Sequence, residues 1–527
     1  MLFLLFSLLV RVSTCSLQTE PPWDSLCSVD AIAKVLPAGA TVNYVQHVPA
    51  NGTFGDEGAV ANATNLPEGC AVGINVISSN TSSYNFALYL PAAWNSRFMA
   101  TGNGGFGGFT NWPYMGMFSQ YGFASLSTDT GHISGFGDTS WALNNPEGMI
   151  DWGYRAMHGS VVLGKEVVSA FYGAAAKYSY YVACSTGGRQ GLKEVQEFPE
   201  DFDGVVVNAP AWWLTGLGSS GVQKGKLNLP ADDPKHIPTS LLQPILTEMI
   251  RQCDPQDGIT DSIVMDPYGC NFRPEAMLCT QTDESQSACL SAPQIGTLRQ
   301  LISDYVDINQ TFVFPGPSLA SSLAFIASGT EQPSAIGLQY VINMVMNDTN
   351  WDWRTFDYST VQLINSIDPG NATADNFDLA PFKARGGKLI HLHGLADDTI
   401  SSGASIYFYE EVYKTMGVNL DDFYRFFLVP GLFHCTGSVE APWFTGISTI
   451  AGATHGVPGY NDADHNGILA IMRWVEEGIA PKKIIGTKFR NDTASAGVAR
   501  QRPLCPYPKK AQYKAGNIDK AKSWVCS

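Results

Sequence analysis

The sequence predicts an α/β protein, a mostly parallel sheet flanked by helices and interrupted by one large insertion. Three observations carry that expectation. Short apolar runs of strand length recur and end in glycine or polar residues. Helical stretches separate them. From about Ala211 to Arg385 the pattern lapses into proline- and glycine-rich sequence with sparse strand signals.

In chain order, the first apolar run, MLFLLFSLLV, is followed by Arg11 and small residues from Ser13 to Ser16. This is the length and core of a secretory signal peptide, taken as residues 1–16, without the usual basic leader. A membrane-spanning helix needs roughly 20 apolar residues, about twice this run. The strand-like runs follow: Arg97–Thr101, Phe123–Ser127, Tyr180–Cys184, Gly204–Asn208, Lys388–Leu392 and Tyr424–Val429. Helical spacing of apolar residues marks about Pro146–Phe171 and Asp464–Glu477. These elements assign residues 17–210 and 386–527 to the two parts of one α/β body. Residues 211–385 form a lid over the carboxyl edge of the sheet, where ligands bind in such folds.

With 32 Lys and Arg against 48 Asp and Glu, the net charge of −16 excludes a chain that neutralises nucleic-acid phosphates or rests on an anionic membrane. Of eleven cysteines, Cys15 falls in or beside the leader, leaving an even number suited to five disulfides in an exported protein. Sequons at Asn51, Asn62, Asn80, Asn309, Asn347, Asn371 and Asn491 agree with a secreted, extracellular glycoprotein.

The sharpest motif is YYVACSTGGRQG. A β-rich run breaks at Ser185 and passes through glycines into a helix, with small residues at Ala183 and Gly187, the form of a nucleophile elbow. The common elbow has glycine at the first small position, where this chain has alanine. The plainer reading is a turn in which Ser185 caps the next helix. KLIHLHGLADDTIS ends a strand in a loop bearing Asp397 and Asp398, and YRFFLVPGLFHC ends another before His434. Alone, each acid reads as a solvated turn residue and the histidine as a core or loop residue. Together, a serine on an elbow, then an acid, then a histidine, each just past a strand, give the chain order of an α/β-hydrolase triad: Ser185, Asp397, His434. Asp397 is preferred because it comes first after the strand.

If Ser185 and His434 touch, their neighbours Cys184 and Cys435 are close enough to form a disulfide; pairing with other cysteines is the alternative. The run TGNGGFGG from Thr101 to Gly108 suits an oxyanion hole built from the Thr186 amide and one from Gly104 or Gly105. It lacks both the lysine ending and the spacing of a nucleotide loop. In CDPQDGITDSIV, Asp254, Asp257 and Asp261 read as a calcium turn or as solvated acids, since the spacing is not that of an EF-hand.

These motifs, CSTGG, HGLAD, the His434–Cys435 pair, GNGGF and the CDPQDGITDSIV turn, occur in the order seen in the fungal tannase and feruloyl esterase family, which the sequence resembles over nearly the whole mature chain. The resemblance implies an α/β-hydrolase fold with a large inserted lid domain over the active site, the three roles already assigned, and the Cys184–Cys435 bridge. It implies a structural calcium in the lid, held by carboxylates of Asp254, Asp257 and Asp261 and carbonyls of Ile259 and Ile263. The other implied pairs are Cys27–Cys70, Cys253–Cys270, Cys279–Cys289 and Cys505–Cys526. Family tannases are often cleaved after a Lys-Arg pair in the insertion, and none occurs between Ala211 and Arg385.

The expectation is a serine carboxylesterase, a feruloyl esterase acting on feruloyl, caffeoyl or p-coumaroyl esters of plant cell-wall polysaccharide. A tannase acting on galloyl esters is the alternative, and a non-catalytic secreted binding protein the reading of another class. The partner is a phenolic, carbohydrate-linked ester, and the chain a monomer or homodimer. Trp212 and Trp213, just past a strand, are candidate pocket walls or ordinary core residues.

Overall fold

The structure, a computed structural model, describes residues 23–280, 288–307, 309–437 and 456–527; the expected signal peptide with Cys15 lies outside them. Among the described residues nine strands build the central sheet: β1 Ala40–Val48, β2 Gly69–Ile77, β3 Ser83–Pro91, β4 Arg97–Ala100, β5 Ala124–Thr128, β6 Tyr178–Cys184, β7 Gly204–Asn208, β8 Lys388–Gly394 and β9 Tyr424–Val429. Their spatial order is β1-β2-β3-β5-β4-β6-β7-β8-β9. From β5 to β9 every neighbouring pair is parallel, while β1, β2, β3 and β5 pair antiparallel. The expected strand runs all lie in this sheet, and β7 and β9 have the expected bounds.

The centre of the sheet is covered on both faces, as a parallel sheet must be. Alternation sorts its residues. Tyr181, Ala183, Val205, Val207 and Leu389 face one apolar cluster with helices α1 Ala156–Tyr172, α2 Thr186–Glu197 and α3 Ser402–Met416. Tyr180, Val182, Val206, Ile390 and Leu392 face the other, where α4 Gly467–Glu477 lays down Ile468, Ile471 and Trp474. The helical stretch expected from Pro146 is broken in two by a wide π turn at Asp151–Arg155. There Gly153 abuts the Gly370 carbonyl, and a Cβ would sit 2.1 Å from that oxygen.

The chain leaves the sheet after β7 and returns at β8, its neighbour. Between them run the helices Leu214–Leu227, Leu242–Cys253 and Ala292–Ile302 and a hairpin, Tyr305–Val306 with Phe312–Phe314. This segment has an apolar cluster of its own that includes Ile237, Ile245 and Leu298. Trp212 and Trp213 take the core reading. Trp212 is buried and donates its indole N–H to Ala404 O at 3.0 Å, and Trp213 packs on Phe312, Phe314 and Tyr407.

Five disulfides join Cys27 to Cys70, Cys184 to Cys435, Cys253 to Cys270, Cys279 to Cys289 and Cys505 to Cys526. Among the described residues no helix is long and apolar enough to cross a membrane.

Candidate active site

Three strand ends converge at the carboxyl edge of the sheet. β6 delivers Ser185, held at φ 61° and ψ −126° between the strand and α2. The β region and right-handed helix exclude that conformation, so the turn must be enforced by its surroundings. Its amide donates to Asn208 O at 2.9 Å, while its carbonyl accepts from Arg189 and Ala211, each at 3.0 Å. The small-residue requirement at Gly187 is literal. A Cβ there would lie 2.7 Å from the Ala183 Cβ, and the Gly187 amide is already bonded to Asn103 O at 2.7 Å. Alanine at position 183 is therefore accommodated because position 187 is glycine.

From the loop after β9, His434 places Nε2 2.8 Å from Ser185 Oγ and Nδ1 2.9 Å from Asp397 Oδ2. Asp397 follows β8 and is fully buried. Its other oxygen, Oδ1, accepts the amides of Thr399 and Ile400 at 2.9 Å each. Burial alone would raise this carboxyl's pKa, but the charge and hydrogen bonds of His434 and the bond from His393 outweigh it, and the group is held well below the ordinary carboxylate range. Burial opposes protonation of His434, yet Asp397, with a contribution from Asp398, carries its pKa above the ordinary 6.5. Asp398 makes neither contact to His434 nor to Ser185; burial and the Asp397 charge raise its pKa.

The Cys184–Cys435 bridge ties the residue before the serine to the residue after the histidine, with Cα atoms 5.9 Å apart across 251 residues of sequence. A cross-link closing so long a loop restricts the unfolded chain by on the order of 5 kcal/mol in the chain-entropy account. It also anchors the base beside the nucleophile, with Asn208 Nδ2 donating to Cys435 O at 3.5 Å.

The glycine loop lies against the start of α2. Thr186 Oγ1 donates to Gly105 O at 2.7 Å, and Gly105 has φ +56° with Phe136 O only 2.2 Å from where a Cβ would sit. Asn103 pins the loop from inside, donating to Phe109 O at 2.9 Å and Thr128 O at 3.0 Å. The amides of Gly104, Gly105 and Thr186 donate to no acceptor among the described residues. A cleft of about 530 Å³ opens over Ser185 and His434, with Phe109, Tyr114 and Phe136 from the body and Phe325 and Ile336 from the insertion in its walls. None of these aromatic walls was marked by a sequence motif.

Two acidic groups bear on metal binding. In the Asp254–Ile263 turn, Asp254 is buried and its Oδ1 has no hydrogen-bond partner among the described residues. Oδ2 accepts the amides of Asp261 and Ser262. Burial, with the Asp261 charge adding, raises the pKa of both Asp254 and Asp257. The buried Asp254 carboxylate, with its orphan oxygen beside the like charges of the exposed Asp257 and the half-buried Asp261, fits a hard cation. Arg502 and Arg500 both reach Asp261 Oδ2. The Ile259 and Ile263 amides bond to Asp257 and Asp261 carboxylates, which curls their carbonyl-bearing backbone around the turn. The second group, His158, Glu194 and Asp201, has ligand atoms within 4.8 Å of one another. There Lys165 Nζ lies 3.9 Å from Asp201 Oδ1, and burial pushes the Glu194 carboxyl well above its ordinary range, so the group balances its charge with its own side chains.

A hydroxyl poised on an imidazole that a buried carboxylate orients, at the carboxyl edge of a sheet with this connectivity, defines the class of the molecule: an α/β-hydrolase-fold carboxylic ester hydrolase. The chain belongs to the tannase and feruloyl esterase family, whose model matches residues 70–527. It is 36% identical over 509 residues to the probable feruloyl esterase B-1 of Aspergillus oryzae, covering 94% of this chain and 92% of that one. It superposes on the crystal structure of feruloyl esterase B from Aspergillus oryzae with a TM-score of 0.89 at 35% identity, covering 96% of this chain and 100% of the other. Tannin acyl hydrolase from Aspergillus niger shares the fold, with a TM-score of 0.74 at 23% identity over 96% of this chain and 95% of its own.

Proposed function

We propose that this chain is a feruloyl esterase that cleaves hydroxycinnamate esters through an acyl-enzyme on Ser185. The observation that carries the reading is the continuous hydrogen-bonded line Ser185–His434–Asp397 at the floor of an aromatic-walled cleft. His434 Nε2 takes the Ser185 proton as Oγ bonds to the ester carbonyl carbon. The carbonyl oxygen becomes an oxyanion that the amides of Thr186 and of Gly104 or Gly105 receive. Collapse expels the alcohol, which leaves with the proton from His434. Water then attacks the acyl-enzyme, giving its proton to His434, and the acid departs as Ser185 regains a proton. Asp397 stays ionised throughout and supports the imidazolium.

The flat ring of a cinnamoyl group suits walls made of Phe109, Tyr114, Phe136 and Phe325, which offer π faces. The galloyl reading would need polar groups for three ring hydroxyls, and these walls supply chiefly hydrocarbon. We read residues 211–385 as the lid that contributes Phe325 and Ile336. The alcohol side is read as a cell-wall carbohydrate.

Calcium belongs to the same proposal. Asp254, Asp257 and Asp261 with the Ile259 and Ile263 carbonyls would hold it and brace the base of the insertion. Export is supported by five disulfides and by the exposure of all seven sequon asparagines.

The test is release of free acid from methyl ferulate, methyl caffeate and methyl gallate by the purified calcium-replete protein and its Ser185→Ala variant. Cinnamate turnover that falls by at least about a thousandfold in the variant is expected. Preference for gallate would make the enzyme a tannase. Absence of turnover on all three by folded protein would favour the binding-protein reading.

A further inference from the structure

The strand β8 carries two histidines that the mechanism above does not use. His391 and His393 stand two residues apart, so they share one face of the strand, and both are fully buried. That face is covered by α3, which lowers Ser405 between them. His393 Nε2 lies 3.1 Å from Asp397 Oδ2 and 3.0 Å from Ile400 O. Its Nδ1 lies 2.6 Å from Ser405 Oγ. The same hydroxyl lies 2.8 Å from His391 Nε2, and His391 Nδ1 lies 2.8 Å from Tyr424 Oη on the adjacent strand β9.

With His393 taken as a neutral ring, the protons in this chain follow by elimination. Asp397 is ionised and Ile400 O is a carbonyl, so both partners of His393 Nε2 only accept, and that nitrogen carries the hydrogen. In the neutral ring Nδ1 is then bare and accepts the single Ser405 proton. Ser405 has no second proton to give, so it accepts from His391 Nε2–H. His391 Nδ1 is bare in turn and accepts from Tyr424. Burial keeps His391 neutral and keeps the Tyr424 proton in place. Every hydrogen bond thus points the same way, from Tyr424 toward Asp397. Reversal of the chain would require an additional proton on His393.

We propose that His393 is a positioning residue for the esterase reaction: held as the Nε2–H tautomer by the one-way chain from Tyr424, it shares Asp397 Oδ2 with His434. The inference rests on the Ser185 mechanism and deepens it. Oδ2 receives two N–H groups and Oδ1 two amides, so the carboxylate has four donors and one fixed orientation. The His393 dipole also draws charge from the oxygen that faces His434. The carboxylate therefore remains an acceptor and does not take the His434 proton. The titratable groups that face this assembly are Asp398, beside His434, His391 and Tyr424, behind His393, and Tyr409, which packs on Tyr424.

The experiment compares pH profiles of kcat/KM for methyl ferulate in wild type, His393→Met, His393→Gln and Ser405→Ala. Loss of the donor in His393→Met makes Asp397 more basic, which raises the pKa of His434. The acid limb is expected to move to higher pH, with kcat lowered about tenfold, the rate equivalent of one hydrogen bond to a charged group, and KM unchanged. His393→Gln, which keeps an N–H near the Nε2 position, restores the limb. Ser405→Ala shifts it in the same direction by less, because the N–H is no longer polarised by the chain behind it. Nitrogen-15 histidine spectra of the wild type provide a second readout that needs no variant to fold: His391 and His393 should both be neutral Nε2–H tautomers. An unmoved limb in folded His393→Met, no restoration by Gln, or an Nδ1–H tautomer at either histidine overturns the proposal. Turnover that survives Ser185→Ala would instead overturn the serine mechanism itself, so the two failures are distinct.

Discussion

The two halves of the catalytic line are held by opposite means. On the nucleophile side, Ser185 owes its position to backbone: a forced φ of 61°, carbonyl and amide bonds to Asn208, Arg189 and Ala211, and close approach at Gly187. On the acid side, Asp397 owes its position to polar contacts: two amides, His434, and His393 with the chain behind it. The first arrangement is sensitive to volume and the second to hydrogen-bonding chemistry. Substitutions on the two sides should therefore fail in different measurements, one in stability and the other in rate.

The largest expected effect is on the acid side. Asp397→Asn keeps the volume but presents an N–H₂ or a neutral oxygen to two N–H donors, so His434 loses the tautomer that leaves Nε2 free to accept from Ser185. A fall in kcat on the order of ten-thousandfold is expected, with the protein still folded. Near-normal turnover would show that the acid side is held by something other than this chemistry. The nucleophile side should respond the other way to Gly187→Ala. The added methyl meets the Ala183 Cβ at 2.7 Å, with backbone close behind it at Asn103 and Gly102. Loss of about 1–3 kcal/mol in denaturant unfolding is expected, the cost of overpacking a close contact. A variant of full stability with lost activity would blur the contrast between the halves.

The same contrast decides what was legible beforehand. The elbow is contiguous, so ACSTGG displays strand, turn and helix in one glance. The loops after β8 and β9 were legible because a buried parallel strand reads as an unbroken apolar run that stops at chemistry. The three antiparallel strands β1, β2 and β3 went unread. β1 alternates between half-exposed and exposed residues and carries a bulge between Val42 and Tyr44, so it lacks the apolar run by which the central strands were found. β2 is mostly buried, yet Gly69 and Gly73 weaken its strand signal, since Tyr89 and Tyr44 rings occupy the space of their side chains. His391 and His393 stood in plain view in HLHG, but their role needs Ser405 from a helix and Tyr424 from another strand. Such pairing is tertiary and leaves no spacing to read.

The smallest expected effect separates the two adjacent acids. Asp397 bonds to His434; Asp398 acts on it only through charge, and its own Oδ1 accepts from Thr399 Oγ1 at 3.2 Å. The pKa of His434 is raised above 6.5, and the reaction needs its neutral form. kcat/KM should therefore fall as pH drops through an inflection above 6.5. Asp398→Asn removes one of the negative charges that hold the proton on His434, so the inflection should move to lower pH, by less than about one unit for a charge that makes no hydrogen bond. The variant then works better than wild type on the acid side and alike on the plateau. An inflection that moves upward, or a plateau that collapses, would mean that Asp398 orients the histidine directly, and the polar half of the site would then be shared between two carboxylates.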